Sequence, residues 1–317
     1  MEKQIPVFIV SSGRTGSTIL AKMLNRHPEI LIASDLFEPT GPVPYFDRSR
    51  LISGEDFFKI LSRPSIKPRL RYWRERATKE RLFYPDDENL VSLLLCYAIP
   101  FLSDSPMGLF NELKIETGRF QSAYIADHFI KFFEYLRDRF NKKVWVERTG
   151  GSLQHINGIV KAWPDAKIVN NYRDGRETAI SMQSYPFFRM YLQILNNPDL
   201  DEWEYDYYPP VEEFGSMWEE WTCKAEDVLD SIPDDRKLYV SYEKYADDTY
   251  RALIQLVNFI FDREKPTQAD IKWATAESKN IVKAPIRFDS LDKEKQVLLE
   301  KACAKGLKRL GYEFKVI

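Results

Sequence analysis

Four consecutive apolar residues, Val7-Phe8-Ile9-Val10, run directly into Ser11-Ser12-Gly13-Arg14-Thr15-Gly16-Ser17-Thr18, and a helical pattern over 18–26 begins where that loop ends. A buried strand feeding a helix through a glycine-rich loop is the arrangement of a phosphate cradle. Glycines let the backbone approach an anion, the first N–H groups of the helix lack intrahelical acceptors, and Ser/Thr hydroxyls add donors. The same segment also fits a plain glycine turn with hydroxyl caps, so the rest of the chain has to separate the two. A Walker-type loop requires GxxxxGK[ST]. Here Ser17 follows Gly16 where the lysine would stand, and the cation sits earlier, at Arg14.

Further short apolar runs at 30–33, 144–146, 168–172 and 238–241 read as buried strands. Helical patterns cover 153–163, 177–183, 211–232, 250–261 and 291–310, with Pro28, Pro164, Pro233 and Gly311 as stop signals. Strands alternating with helices predict an α/β fold: a P-loop-like core with a mainly parallel sheet flanked by helices. No repeat or flexible linker divides the 317 residues, so a single domain over 1–317 is expected. It carries helical insertions at about 40–141 and 185–210, where the alternation breaks down. Long connections of this kind serve as lids or acceptor-binding walls.

With 46 Lys+Arg against 48 Asp+Glu the chain lacks the basic field of a general nucleic-acid binder. Cys96, Cys223 and Cys303 are far apart, with no CxxC pair and only three histidines, which points to a reducing compartment and to no metal centre. The longest apolar stretch, around 93–101, is about half a bilayer span. Met1-Glu2-Lys3-Gln4 leads into a strand and not into a signal peptide. A cytoplasmic chain without integral membrane contact is expected.

The loop resembles the 5′-phosphosulfate loop of sulfotransferases that use 3′-phosphoadenosine 5′-phosphosulfate, in the variant with Arg in the basic position. A second segment, Tyr172-Arg173-Asp174-Gly175-Arg176-Glu177-Thr178-Ala179-Ile180-Ser181, resembles the 3′-phosphate element of the same family, an arginine at a strand end with a serine eight positions on. An arginine forks two phosphate oxygens, and the serine adds its hydroxyl. Weaker matches follow the family order: Trp145-Val146-Glu147-Arg148-Thr149, Trp163-Pro164-Asp165-Ala166, Leu238-Tyr239-Val240-Ser241-Tyr242-Glu243 and Leu310-Gly311-Tyr312. The resemblance implies that Ser12, Gly13, Arg14, Thr15, Gly16, Ser17 and Thr18 cradle the 5′ end of the donor. Arg173, Ser181 and Tyr242 contact the rest of it, without a metal, and Arg148 lies near the transferring group. Two features depart from the family. Gly150 stands where members with a Lys-Thr-His strand keep a histidine base, and the late Arg-Lys-Gly cluster is missing, leaving Lys279, Lys283 and Arg287 as substitutes or as ordinary surface charges.

Sulfuryl transfer depends on in-line placement and charge stabilisation more than on covalent chemistry. Arg14 would offset charge on the bridging oxygen, with Arg148 assisting, and a base would accept the acceptor's proton. Family members lacking the histidine place an acidic residue about 21 positions after the basic loop residue, which here is Asp35, with Glu38 as its rival. Burial against Leu36 and Phe37 would raise the proton affinity of either, and His27 and His155 are lesser alternatives. The acidic, aromatic stretch 199–213 suits a neutral or cationic acceptor, whereas the basic stretch 63–81 suits an anionic one or is a solvated helical face. The expected partner is a small-molecule, lipid or carbohydrate acceptor. A P-loop nucleotide kinase and a non-catalytic nucleotide-sensing module are the alternatives.

Overall fold

Each apolar run forms a strand: β1 (Val7–Val10), β2 (Ile30–Ser34), β3 (Val144–Arg148), β4 (Lys167–Tyr172) and β5 (Lys237–Ser241). The computed structural model describes residues 4–37, 46–64, 74, 83–197, 207–281 and 283–317. These five strands pair only in parallel. β1 lies on β4 with Val10 opposite Asn170, and β4 on β5 with Tyr172 opposite Ser241; β2 lies on β3 with Ser34 opposite Arg148. Two compact units divide the chain. One comprises Met1–Pro6, Glu29–Thr149 and Gly158–Pro164, and the other Val7–Pro28, Gly150–Asn157 and Asp165–Ile317.

The first unit builds its core from aromatic rings, around β2, β3 and the helices Gly54–Leu61, Pro106–Gly118 and Ile125–Arg139. Phe57, Phe129, Phe132, Phe133 and Trp145 are fully buried, with Phe133 and Trp145 at 4.6 Å between ring centroids. Burying each such side chain contributes roughly 1.5–3 kcal/mol. The apolar stretch near residue 93 becomes a buried π-helical turn, Leu94–Ala98. Among the described residues no helix is long and apolar enough to cross a membrane.

The second unit surrounds β1, β4 and β5 with the helices Ser17–Asn25, Gly175–Gln183, Pro186–Asn196, Val211–Leu229 and Thr249–Phe261. Asp174 caps Gly175–Gln183 by accepting from the Arg176 N–H. Trp218 of the long helix packs onto Gly175 and Gly306, where an added Cβ would come within 2.3 and 2.5 Å of its ring.

Two helix expectations require correction. The pattern over 291–310 is two helices, Lys293–Ala302 and Ala304–Arg309, broken at buried Cys303. The break lies where Cys303 and Gly306 press against Gly215 and Trp218, a demand that helical periodicity does not encode. The pattern over 153–163 opens instead as a 3₁₀ turn, Ser152–His155, before the helix Ile156–Ala162. The Leu153 N–H donates to the Ser11 carbonyl at 3.0 Å, which ties this turn to the end of β1.

Candidate active site

In the second unit β1, β4 and β5 end on one edge of their parallel ladder, where ligands of open α/β sheets bind. Each strand end contributes to a single cleft of about 300 Å³. Arg14, Gly16, Ser17 and Thr18 follow β1; Arg173, Glu177 and Ser181 follow β4; Tyr242 follows β5; Ala284 and Arg287 complete the wall. Arg14 Nε donates to Ser181 Oγ at 3.0 Å, and its guanidinium lies 4.3 Å from the centre of the Tyr185 ring. Arg173 lies 4.7 Å from the centre of the Tyr242 ring and 3.5 Å from Glu177. Among the described lining residues, three arginines stand against one carboxylate.

Gly13 and Gly16 have left-handed φ values of 81° and 77°, and Arg14 joins them at 59°. A Cβ at Gly16 would stand 2.4 Å from Tyr245 Oη, and one at Gly13 would stand 2.5 Å from Phe188 Cζ. Both glycines are therefore required by conformation and by close approach. The Gly16 carbonyl accepts from the Ile19 and Leu20 N–H groups and from Tyr245 Oη. Thr15 is buried and donates to Asn171 Oδ1 at 2.9 Å, while Asn171 donates on to the Val240 carbonyl. Ser12, Gly13 and Thr15 are not among the residues lining the cleft; Thr15 ties the loop to β4, while Ser12 donates to the Gly13 carbonyl and the Gly13 N–H donates to Ser11 Oγ within the loop.

Glu177 Oε1 accepts from the N–H groups of both Arg287 and Phe288 at 2.8 Å, and Tyr242 Oη accepts from Ala284 N–H at 2.7 Å. These bonds hold the late segment at the cleft. Of its three sequence-suggested cations, Arg287 lines the cleft, Lys283 pairs with Asp247 and Lys279 is exposed.

In the first unit the ends of β2 and β3 form a separate cluster. The Asp35 N–H donates to the Arg148 carbonyl at 2.7 Å, and Arg148 Nη1 donates to Asp35 Oδ2 at 2.5 Å. Ser34 Oγ donates to the same carboxylate at 3.1 Å. Leu36 and Phe37 are buried beside it, as expected, but the Asp35 side chain turns to Arg148. Glu38 lies outside the described residues. Glu147 is wholly buried, and Thr149 Oγ1 donates to its Oε1 while accepting from the Phe37 N–H at 3.2 Å. Its Oε2 has no hydrogen-bond partner among the described residues. Burial, with the Asp35 charge adding, holds the Glu147 carboxyl well above the usual carboxylate range, so its neutral form is favoured.

The two histidine alternatives lie away from the cleft lining. His27 Nε2 sits 3.0 Å from Asp270 Oδ1, both wholly buried, and Arg263 pairs with the same carboxylate, which makes this a structural network. Burial pushes His155 down to about 4. Within the basic stretch, Arg63 and Arg74 are described and exposed, with Arg74 paired to Glu88; the other basic residues lie outside the described set. The acidic residues of 199–206 also lie outside it, while Glu212 and Glu213 open the helix Val211–Leu229. Sequence reasoning overlooked Tyr185, Tyr245 and the burial of Glu147, whereas Glu177 is a partner that the sequence offers for Arg173 and that the structure pairs with it at 3.5 Å. Tyr185 lies past the end of the helix Gly175–Gln183, as the N-cap of the next helix, so helical spacing from Ser181 does not reveal it.

Parallel strand ends that gather a glycine loop, three arginines and hydroxyl donors define an α/β protein with a cation- and hydroxyl-lined cleft at its strand ends. The sequence matches the sulfotransferase family over residues 6–261, and the chain belongs to that family. In fold it is similar to the sulfotransferase domain from the curacin biosynthetic pathway, with a TM-score of 0.51 at 15% identity, over 98% of this chain and 100% of that one. It is likewise similar to the sulfotransferase STF9 from Mycobacterium avium, with a TM-score of 0.51 at 15% identity, over 100% of this chain and 79% of that one. No curated protein matches it in sequence.

Proposed function

We propose that this protein transfers a sulfuryl group from 3′-phosphoadenosine 5′-phosphosulfate to a hydroxyl or amine of a small-molecule, lipid or carbohydrate acceptor. The observation that carries this reading is the convergence of Arg14, Ser17 and Thr18 with Arg173, Ser181 and Tyr242 on one cleft. Two arginines and several hydroxyls, drawn from the segments after β1 and after β4, suit a nucleotide with phosphate groups at both its 5′ and 3′ positions, which ATP lacks. The chain works in the cytoplasm, a reading supported by three free, widely spaced thiols.

The bound donor supplies an activated sulfuryl group, whose bond to the phosphate oxygen breaks as the acceptor oxygen bonds to sulfur. Ser17, Thr18 and the first N–H groups of Ser17–Asn25 hold the 5′ end, and Arg14 offsets the charge that develops on the departing oxygen. Arg173 and Ser181 hold the 3′-phosphate. Asp35 takes the acceptor's proton, with Arg148 beside it, and Glu38 is the second carboxylate for that role.

Thermal unfolding with 3′-phosphoadenosine 5′-phosphate, AMP and ATP with magnesium tests this reading. At a hundredfold excess over Kd the bisphosphate should add about 2.7 kcal/mol of stability. A magnesium-dependent response to ATP with none to the bisphosphate would overturn it.

A further inference from the structure

We infer that Tyr185 is the positioning residue for Arg14: the face of its ring, by cation–π contact, holds the guanidinium at the cleft and so sets how tightly the 5′-phosphate is gripped. The inference rests on the sulfotransfer reading for the identity of the anion, and not for the contact itself.

Arg14 is a long side chain on a backbone that no side chain prefers. Its φ of 59° is left-handed, which costs a non-glycine residue, and ordering its rotatable bonds costs conformational entropy as well. Two contacts from outside the loop meet its guanidinium. Ser181 Oγ accepts from Nε at 3.0 Å, and the Tyr185 ring lies against the group at 4.3 Å from its centre. Arginine suits both at once. A planar guanidinium donates an N–H in its own plane while its face lies on an aromatic ring, whereas a lysine ammonium is a point charge with no such plane.

Tyr185 is itself held between two helices. Its N–H donates to the Met182 carbonyl at 2.9 Å, its carbonyl accepts from the Phe188 N–H at 3.0 Å, and it is the N-cap of Pro186–Asn196. The Phe188 ring, 6.3 Å from that of Tyr185, occupies the space that a side chain at Gly13 would need. One helix start thus meets two consecutive loop residues, Gly13 and Arg14. Tyr185 is not among the residues lining the cleft, so its effect on a ligand passes through Arg14.

Calorimetry on the full chain with 3′-phosphoadenosine 5′-phosphate and with adenosine 3′-phosphate tests the inference, because only the first carries the 5′-phosphate. In the bisphosphate the oxygen released by sulfuryl transfer bears its full charge, so affinity reads the placement of Arg14. Tyr185→Leu should weaken the bisphosphate about tenfold and leave adenosine 3′-phosphate unchanged, whereas Tyr185→Phe, which keeps the ring face, should stay within about twofold of wild type. Phenylalanines with increasing numbers of fluorines at position 185 withdraw charge from the ring face, and bisphosphate affinity should fall in step. With Arg14→Gln in place, Tyr185→Leu should add nothing. Equal losses for the two ligands, indifference to fluorination, or independent losses in the double variant would each reduce Tyr185 to packing and overturn the inference. If wild type fails to bind the bisphosphate, the sulfotransfer reading falls, and NMR decides the contact. The Arg14 Nε–H resonance should be moved upfield by the ring in wild type and in Tyr185→Phe but not in Tyr185→Leu; an unshifted wild-type resonance would overturn the inference.

Discussion

The cleft around Arg14 and Arg173 and the Asp35–Arg148 cluster both form at the carboxyl ends of parallel strands, yet their charges are arranged in different ways. The cleft lines one carboxylate with three arginines and has two glycines and Arg14 in left-handed conformations. Cations gathered from three chain segments around a left-handed glycine loop suit a polyanion. The cluster matches Arg148 to Asp35 and buries Glu147 toward its neutral form, leaving no positive excess. Such a site is suited to positioning a proton acceptor and not to holding a phosphate. The fold thus offers the same strand-end platform twice, and the side chains decide which job each end performs.

Variants can break this contrast or sharpen it, in decreasing order of expected effect. Asp35→Asn should lower sulfuryl transfer by about 10²–10⁴-fold, the usual span for a general base, with donor affinity unchanged by calorimetry. A parallel fall in affinity would show that the cluster also binds the donor, which would erase the distinction. Gly16→Ala should cost roughly 3 kcal/mol in denaturant unfolding, since a left-handed non-glycine and a Cβ 2.4 Å from Tyr245 Oη both count against it. Bisphosphate binding should be lost with it. Arg173→Ala should cost roughly 1.5–3 kcal/mol of bisphosphate affinity and little of AMP affinity; equal losses would assign Arg173 to the fold.

Glu147→Gln probes the cluster through pH. A carboxyl raised in the folded state binds more protons there than in the unfolded chain, so wild-type stability declines as pH rises above the unfolded value of about 4.5. Glutamine removes that slope. Urea midpoints measured across pH should therefore show the variant gaining on wild type as pH increases, and parallel curves would mean that Glu147 stays ionised. The smallest effect belongs to Arg287→Ala: its side chain is exposed, so bisphosphate affinity should fall by less than about 1 kcal/mol.

Much of this arrangement could be read from the chain before the fold was known. The strands coincide with the apolar runs to within two residues, because a buried parallel strand needs uninterrupted apolar sequence. The loop was legible because glycine is the residue that tolerates the left-handed turns seen at Gly13 and Gly16. Arg173 and Ser181 were legible because a strand end and the following helix fix their separation through local geometry.

What the sequence determined by itself, then, is the set of local features: strand, loop, helix and the spacing of the residues that line the cleft. Tertiary structure decided the rest. It broke the last helical pattern at Cys303, where packing on Gly215 and Trp218 outweighs periodicity. It turned Thr15 inward onto Asn171, although its neighbours Ser17 and Thr18 line the cleft. It paired Asp35 with Arg148 across 113 residues and sealed Glu147 beneath them. Burial and charge pairing depend on which distant segments meet, and no short stretch of residues contains that information.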